Sequence, residues 1–181
     1  MNEFSFKKHG SIFFDNPKEI QEKAKFYGQK RTEANAQLHK DAPEYDRGSR
    51  SAYVDELGVT AELIAIIFFD QQNILFEVNI IFDEKPVKFA DIYTADFKID
   101  VKGVSNANEL RVNLKTHYEK EVTHYIFIKP QYNDDDELIG EAEYWIISAL
   151  YPSCWKINNK ADTPFLFMPI IEAHNLYFNE E

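Results

Sequence analysis

The chain has 181 residues, of which 44% are hydrophobic and 15% aromatic, so one domain with a sizeable core is expected. The formal net charge of −11 argues against a protein that coats nucleic acid through many phosphate contacts, but it is compatible with a local basic groove. No apolar run approaches the ~18 residues of a membrane span, and the N-terminus shows no signal-peptide pattern. With a single cysteine, these features predict a cytoplasmic protein with no membrane contact and no disulfide framework.

Two helices are predicted in the first part of the chain. A polar helix over 18–40 follows the start signal Asp-Asn-Pro, and its sparse apolar positions are typical of a helix on the outside of a domain. A loop over 41–49 leads to a second helix over about 50–69, whose second half, AELIAIIFF, is apolar on nearly all sides. That half should be buried, and Glu62 stands inside it.

Strands are predicted after the second helix. Their expected ranges are 73–82, 87–93, 96–104, 109–118, 123–130 and 142–150, with a strand and a short helix in the apolar tail. The second and third of these strands form a hairpin that turns at 94–96. Two helices followed by five or more strands predict an α/β or α+β protein with one central mixed β-sheet flanked by helices.

The hairpin carries charged residues within apolar strands. Asp100 and Lys102 are two residues apart, so they share one face of their strand, while Ile99 and Val101 share the other. Asp91 lies in the first strand of the hairpin. A solvated outer face with a local ion pair is the simplest interpretation of this pattern.

The position of Glu62 in the apolar half of the second helix allows a second interpretation of the charged hairpin residues. A carboxylate in a buried helix is costly unless it is paired or bound to a metal. If the helix and the hairpin meet, Glu62, Asp91 and Asp100 could converge. Mg²⁺ is bound by one or two carboxylates together with waters and phosphate oxygens, and Lys102 could then orient or deprotonate an attacking water.

This order of residues resembles the PD-(D/E)xK nuclease superfamily. The matching residues are Glu62 in GVTAEL, Asp91 in FADIY, and Asp100 with Lys102 in KIDVKG. The residue before Asp91 is Ala90 rather than the proline that names the motif. The resemblance covers about 48–150, which leaves an N-terminal helical extension and a C-terminal apolar tail within a single domain of 1–181.

The resemblance implies a restriction-endonuclease-like core that hydrolyses phosphodiester bonds, expected in DNA, with Mg²⁺ or Mn²⁺. It implies that Asp91 and Asp100 hold the metal, that Glu62 assists directly or through water, and that Lys102 activates or positions the attacking water. Many members are dimers, so a homodimer stays open. Inactive members exist, so the alternative is a non-catalytic binding or immunity-type protein on a nuclease-like fold.

Other residues compete for a place in the site or extend it. The predicted strand 109–118 places four polar residues on one face, where they could contact a phosphate backbone or form an ordinary solvated face: Arg111, Asn113, Lys115 and His117. Asp96 rivals Asp91 but is better explained as a turn residue. Asp55 and Glu56 rival Glu62 from the more polar half of their helix. A small-molecule enzyme is a third functional class, although no cofactor motif specifies one.

Overall fold

The computed structural model describes residues 8–39, 51–78, 90–105, 109–119, 121–149, 155–158, 165–170 and 172–173. Helices with described bounds are α1 (Pro17–His39), α2 (Ser51–Gln71) and α3 (Leu114–Glu119), and residues 170 and 172–173 are also helical. Nine strands accompany them: β1 (His9–Phe13), β2 (Phe76–Val78), β3 (Ile92–Thr94), β4 (Lys98–Gly103), β5 (Glu109–Asn113), β6 (His124–Tyr132), β7 (Leu138–Ser148), β8 (Lys156–Asn158) and β9 (Phe165–Pro169).

The strands form two sheets. Six of them pair in the order β1-β7-β6-β4-β3-β2, where β4 and β6 are parallel and the other neighbours are antiparallel. The remaining three form a small antiparallel sheet in the order β5-β9-β8. The fold is therefore α+β, with α1 and α2 packed on a six-stranded mixed sheet, and the predicted central mixed sheet is confirmed.

Alternating side chains place a core on each face of the large sheet. On the α2 side, Ile99 and Val101 of β4 pack with apolar residues of β6, β7 and the helix. On the opposite side, Tyr125 and Phe127 of β6 pack with residues of the small sheet. The second face of β4 is thus covered by protein at Asp100, whereas Lys98 is exposed and Lys102 is partly exposed.

Two glycines allow close approaches that fix the helices. At Gly103, the last residue of β4, a Cβ atom would lie 2.7 Å from the carbonyl oxygen of Leu57 in α2. At Gly28 in α1, a Cβ atom would lie 2.7 Å from the Cα atom of Glu56 in α2. Because only glycine permits these contacts, they bring the middle of α2 against both α1 and the end of β4.

Several predicted boundaries are corrected. The strand predicted over 109–118 ends at Asn113, and α3 follows at once, with Leu114 packing against the second core. Pro130 does not end β6, which continues to Tyr132 past an irregularity in its pairing with β7. The strand expected at 73–82 is found in the described residues only as Phe76–Val78, since 73–75 are not strand and 79–82 lie outside those residues. The start of the strand expected at 87–93 and most of the expected terminal helix also lie outside the described residues.

No helix in the described part of the chain is both long and apolar enough to cross a membrane.

Candidate functional site

The β3–β4 hairpin positions Asp91. Ile92 pairs with Ile99, and continuing this register by one residue sets Asp91 across from Asp100. The backbone N–H of Asp91 donates to the carbonyl oxygen of Ile99 at 2.9 Å, and its carboxylate accepts from the backbone N–H of Val101 at 2.7 Å. The Asp91 side chain therefore extends the ladder beyond the end of β3 and is held beside β4.

Asp100 is completely buried, with 0% of its surface exposed. The prediction of a solvated outer face is wrong for this residue, because the small sheet and its core cover that side of the large sheet. Lys102, one-quarter exposed, forms an ion pair with the Asp100 carboxylate. A carboxylate at this depth needs a cationic partner, and the lysine of the Asp-x-Lys triplet provides it.

Tyr125 is the residue next to Asp100 on β6, because the two pair in the parallel register. Burial, and then the charge of Asp100, raise the pKa of Tyr125. Its hydroxyl is hydrogen-bonded to Nδ1 of His117 at 2.8 Å, and burial lowers the pKa of His117. This hydrogen bond ties α3 to β6 beside Asp100. Burial favours the neutral form of each of the two groups.

Glu62 lies in α2, buried as the sequence predicts, with 7% of its surface exposed. Arg31 of α1 binds both of its carboxylate oxygens: Nη1 donates to Oε1 at 2.9 Å and Nη2 donates to Oε2 at 2.7 Å. Such a two-pronged contact is the strongest geometry for an arginine–carboxylate pair. Of the two explanations for a buried glutamate, pairing or metal binding, this structure shows the pairing.

A second buried acid adjoins this pair. Asp55 is 2% exposed, and its Oδ2 accepts from the hydroxyl of Thr32 at 2.9 Å and from the amide of Asn35 at 3.4 Å. Burial alone would lower the pKa of Arg31, but the hydrogen bonds and charge of Glu62, with the charges of Asp55 and Asp91, raise it above the usual value. The Arg31 guanidinium is therefore hydrogen-bonded to Glu62, and its pKa also reflects the negative charges of Asp55 and Asp91.

The structure groups the predicted residues in two places. Asp91, Asp100 and Lys102 are brought together on the hairpin, whereas Glu62 approaches from the α2 side and is bound by Arg31. Among the described residues, no three His, Cys, Asp or Glu side chains lie together as ligands for one metal ion. A metal role for Asp91 and Asp100, and an assisting role for Glu62, stay predictions.

The four polar residues that were predicted on one strand face are divided between two elements. Arg111 and Asn113 lie in β5, where Arg111 is exposed and ion-paired with Glu109, but Lys115 and His117 lie in α3. The prediction that all four share one strand face is wrong because β5 ends at Asn113. Leu114 and His117, three residues apart in α3, both face the covered side, where Leu114 packs on the second core and His117 is hydrogen-bonded to Tyr125.

The rival acids have structural explanations. Asp96 is exposed in the hairpin turn, where the backbone N–H of Thr94 donates to the carbonyl of Phe97 at 2.9 Å. Glu56 borders the close contact with Gly28, and burial raises its pKa.

Sequence reasoning missed Arg31 and Tyr125. Arg31 had a signal in the sequence, because Gly28, Arg31, Thr32 and Asn35 recur at three- and four-residue spacing on one side of a polar helix. Tyr125 had none, because its proximity to Asp100 follows from the parallel pairing of β4 with β6, strands more than twenty residues apart in the chain.

Comparisons with family models, curated proteins and solved structures find no match to this chain.

Proposed function

We propose that this protein is a metal-dependent nuclease that hydrolyses phosphodiester bonds, with DNA as the expected substrate and Mg²⁺ or Mn²⁺ as the metal. The observation that carries the proposal is the grouping of Asp91, Asp100 and Lys102 at one end of a hairpin in the central sheet. A buried carboxylate, a second carboxylate across from it and a lysine beside them are the donor set and the charge that this chemistry uses.

The two carboxylates fit a magnesium ion by their chemistry. Asp91 and Asp100 would hold it, since Mg²⁺ takes one or two carboxylates and completes its coordination with waters and phosphate oxygens. When bound, the ion would supply Lewis-acid activation of the phosphate and a more acidic water.

Lys102 has the charge and the position for a direct part in the reaction. Its ammonium group is ion-paired with Asp100 and is one-quarter exposed, so it can meet a substrate from the solvent side. There it would orient the attacking water by hydrogen bonding and offset negative charge on the phosphate oxygens.

The order of elements supports a restriction-endonuclease-like core as part of the proposal. The helix that bears Glu62 precedes the β3–β4 hairpin, and a crossover then leads to β6, which lies parallel to β4. A mixed sheet with a helix layer is what the resemblance to the PD-(D/E)xK superfamily implies.

Nucleic acid would contact a limited area, because the chain carries a net charge of −11. The region from β5 to α3 is the proposed contact, with Arg111 exposed and Asn113 partly exposed on the face of β5 that alternates with the buried Leu110 and Val112. His117 is engaged with Tyr125, so it would support this contact rather than bind phosphate directly.

A second candidate is a non-catalytic binding or immunity-type protein on the same fold. The Arg31–Glu62 contact favours it, because both oxygens of a carboxylate that the nuclease hypothesis needs near the metal are already bound. The ion pair between Lys102 and Asp100 points the same way, since each charge already has a partner.

Cleavage assays separate the two candidates. Labelled single- and double-stranded DNA, with RNA in parallel, is incubated with Mg²⁺ or Mn²⁺ and the wild type, Asp100→Ala or Lys102→Ala. The proposal expects each variant to lose about 100-fold or more in rate, as is usual when a positioned catalytic group is removed. Asp96→Ala, a change to an exposed turn residue of the same hairpin, should cleave like the wild type. Equal cleavage by all four proteins would eliminate the assigned site, and no cleavage by any would favour the non-catalytic protein.

A further inference from the structure

Arg31 is linked to the segment of the proposed metal site through neighbouring residues of α2 and β4. A Cβ atom on Gly58 would lie 3.4 Å from Nη1 of Arg31, so the guanidinium lies against α2 at this point. The preceding residue of α2, Leu57, touches Gly103 at the end of β4. Gly103 directly follows Lys102 in β4. The carboxylate of Asp91 accepts a hydrogen bond from the backbone N–H of Val101, which is also in β4.

The position of Arg31 is fixed rather than adaptable. Glu62 binds both of its terminal nitrogens, and the Glu62 side chain is only 9% exposed, so the pair has little freedom to separate. Thr32 and Asn35, on the same face of α1, hold Asp55 beside it. Burial works to lower the pKa of Arg31, but the hydrogen bonds and charge of Glu62, then the charges of Asp55 and Asp91, raise it.

We propose that Arg31 is an internal cation that Glu62 holds on the α2 side of the segment that carries Asp91 and Asp100, where its charge opposes the binding of a divalent metal ion. This inference rests on the proposed function, because it requires that Asp91 and Asp100 bind the metal. A fixed positive charge close to a cation site weakens binding of a second cation by direct repulsion. Arg31 is thus a positioning residue that sets how tightly the metal binds, and Glu62 acts through it.

The sign of the effect distinguishes this role from a purely structural one. If Arg31 only supported the fold, its removal would leave metal affinity unchanged or weaken it. Repulsion predicts the opposite: Arg31→Gln should bind Mn²⁺ about tenfold more tightly than the wild type, because one charge is removed and the charge of Glu62 is released.

The measurement is calorimetric titration of the full chain with Mn²⁺ alone. Lys30→Gln is the matched control, since Lys30 is the neighbouring cation on α1, is exposed and lies 4.6 Å from the centre of the Phe26 ring. It removes the same charge from the same helix and should leave the Mn²⁺ affinity within about twofold of the wild type, because water screens an exposed charge. If Arg31→Gln binds Mn²⁺ as tightly as the wild type or more weakly, the inference is wrong. It is also wrong if Lys30→Gln gains as much Mn²⁺ affinity as Arg31→Gln.

The Arg31→Gln substitution removes the arginine partner of the buried Glu62 carboxylate, so this variant could fail to fold. A second comparison tests the inference in that case. The double variant Arg31→Gln/Glu62→Gln has no buried charge at either position and is compared with Glu62→Gln alone, in which the one-quarter-exposed guanidinium keeps access to water. The double variant should bind Mn²⁺ about tenfold more tightly than Glu62→Gln. Equal affinities would overturn the inference without any need for the single variant.

Asp100→Asn separates a failure of this inference from a failure of the proposed function. If Mn²⁺ binding is lost in Asp100→Asn but does not change on removal of Arg31, the inference is wrong and the metal site stands. If Asp100→Asn binds Mn²⁺ like the wild type, or if none of the proteins binds Mn²⁺, the proposed site is wrong and the inference falls with it.

Discussion

The carboxylate of Asp91 accepts a 2.7 Å hydrogen bond from the backbone N–H of Val101, and this contact continues the pairing of the hairpin beyond the end of β3. Asp91 therefore has a structural task as well as its proposed role as a metal ligand. The two tasks need different properties of the side chain. Any oxygen acceptor can satisfy the N–H of Val101, whereas the metal requires the negative charge.

Two substitutions at Asp91 separate these tasks. Asp91→Asn keeps an acceptor and should unfold in urea close to the wild type, whereas Asp91→Ala should lose about 1–2 kcal/mol because the N–H of Val101 loses its charged acceptor. Both should lose Mg²⁺-dependent cleavage and bind Mn²⁺ more weakly. Wild-type cleavage by a folded Asp91→Asn would contradict its role as a metal ligand.

Two helical glycines form a matched pair that tests how α1 packs on α2. Helix propensity predicts that Gly28→Ala and Gly58→Ala each stabilise the protein by up to about 1 kcal/mol. At Gly28, however, the new methyl group would lie 2.7 Å from the Cα atom of Glu56, so α1 and α2 must separate. Gly28→Ala should therefore lower the free energy of unfolding by about 1–3 kcal/mol, the usual cost of overpacking.

Gly58→Ala serves as the control, because its methyl group meets only Nη1 of Arg31 at an ordinary contact distance of 3.4 Å. Thermal and urea unfolding of both variants measure the difference. Similar stabilisation of both would show that the close approach at Gly28 is absent.

His124 should make stability depend on pH. Burial, and then the positive charge of Lys8, lower its pKa from 6.5 to about 4 in the folded protein. Between these values the unfolded chain binds more protons than the folded one, so stability is greatest above pH 6.5 and falls as the pH decreases toward 4. Since the ring is only partly buried, a loss of about 1–2 kcal/mol is expected over this range.

The measurement is urea unfolding of the wild type and His124→Gln at several pH values between 4 and 7. Glutamine does not titrate in this range, so the variant should lose this part of the slope while acidic groups contribute equally to both proteins. Parallel stability profiles for the two proteins would contradict the assignment.

The hydrogen bond between Tyr125 and His117 predicts an energetic coupling between β6 and α3. Tyr125→Phe removes the hydroxyl that reaches Nδ1 of His117 at 2.8 Å and should cost about 1 kcal/mol of stability. His117→Ala should have a similar cost, and the double variant should cost less than the sum, with a coupling of about 0.5–1.5 kcal/mol. Additive effects in urea unfolding would show that the two side chains do not interact in solution.

The pattern of the sequence was sufficient for α1, α2 and the hairpin. The apolar stripe of 50–69 placed α2 and buried Glu62, and alternation in 96–104 put Asp100 and Lys102 on one face of β4. Local periodicity reports which side of an element is apolar, and these features depend on little else. The same reasoning failed at 109–118, where an alternating pattern hid the change from β5 to α3 at Leu114.

Tertiary structure decided which side chains from distant segments became neighbours of the buried acids. The sequence by itself determined that Glu62 is a buried acid in need of a partner and that Asp100 and Lys102 share a strand face. Only the packing of α1 on α2 assigned Arg31 to Glu62, and only the small sheet on the second face of β4 made Asp100 a buried charge beside Tyr125. Local pattern fixes which way a side chain points along its own element, whereas its neighbours come from segments distant in the chain, brought together by burial of apolar surface.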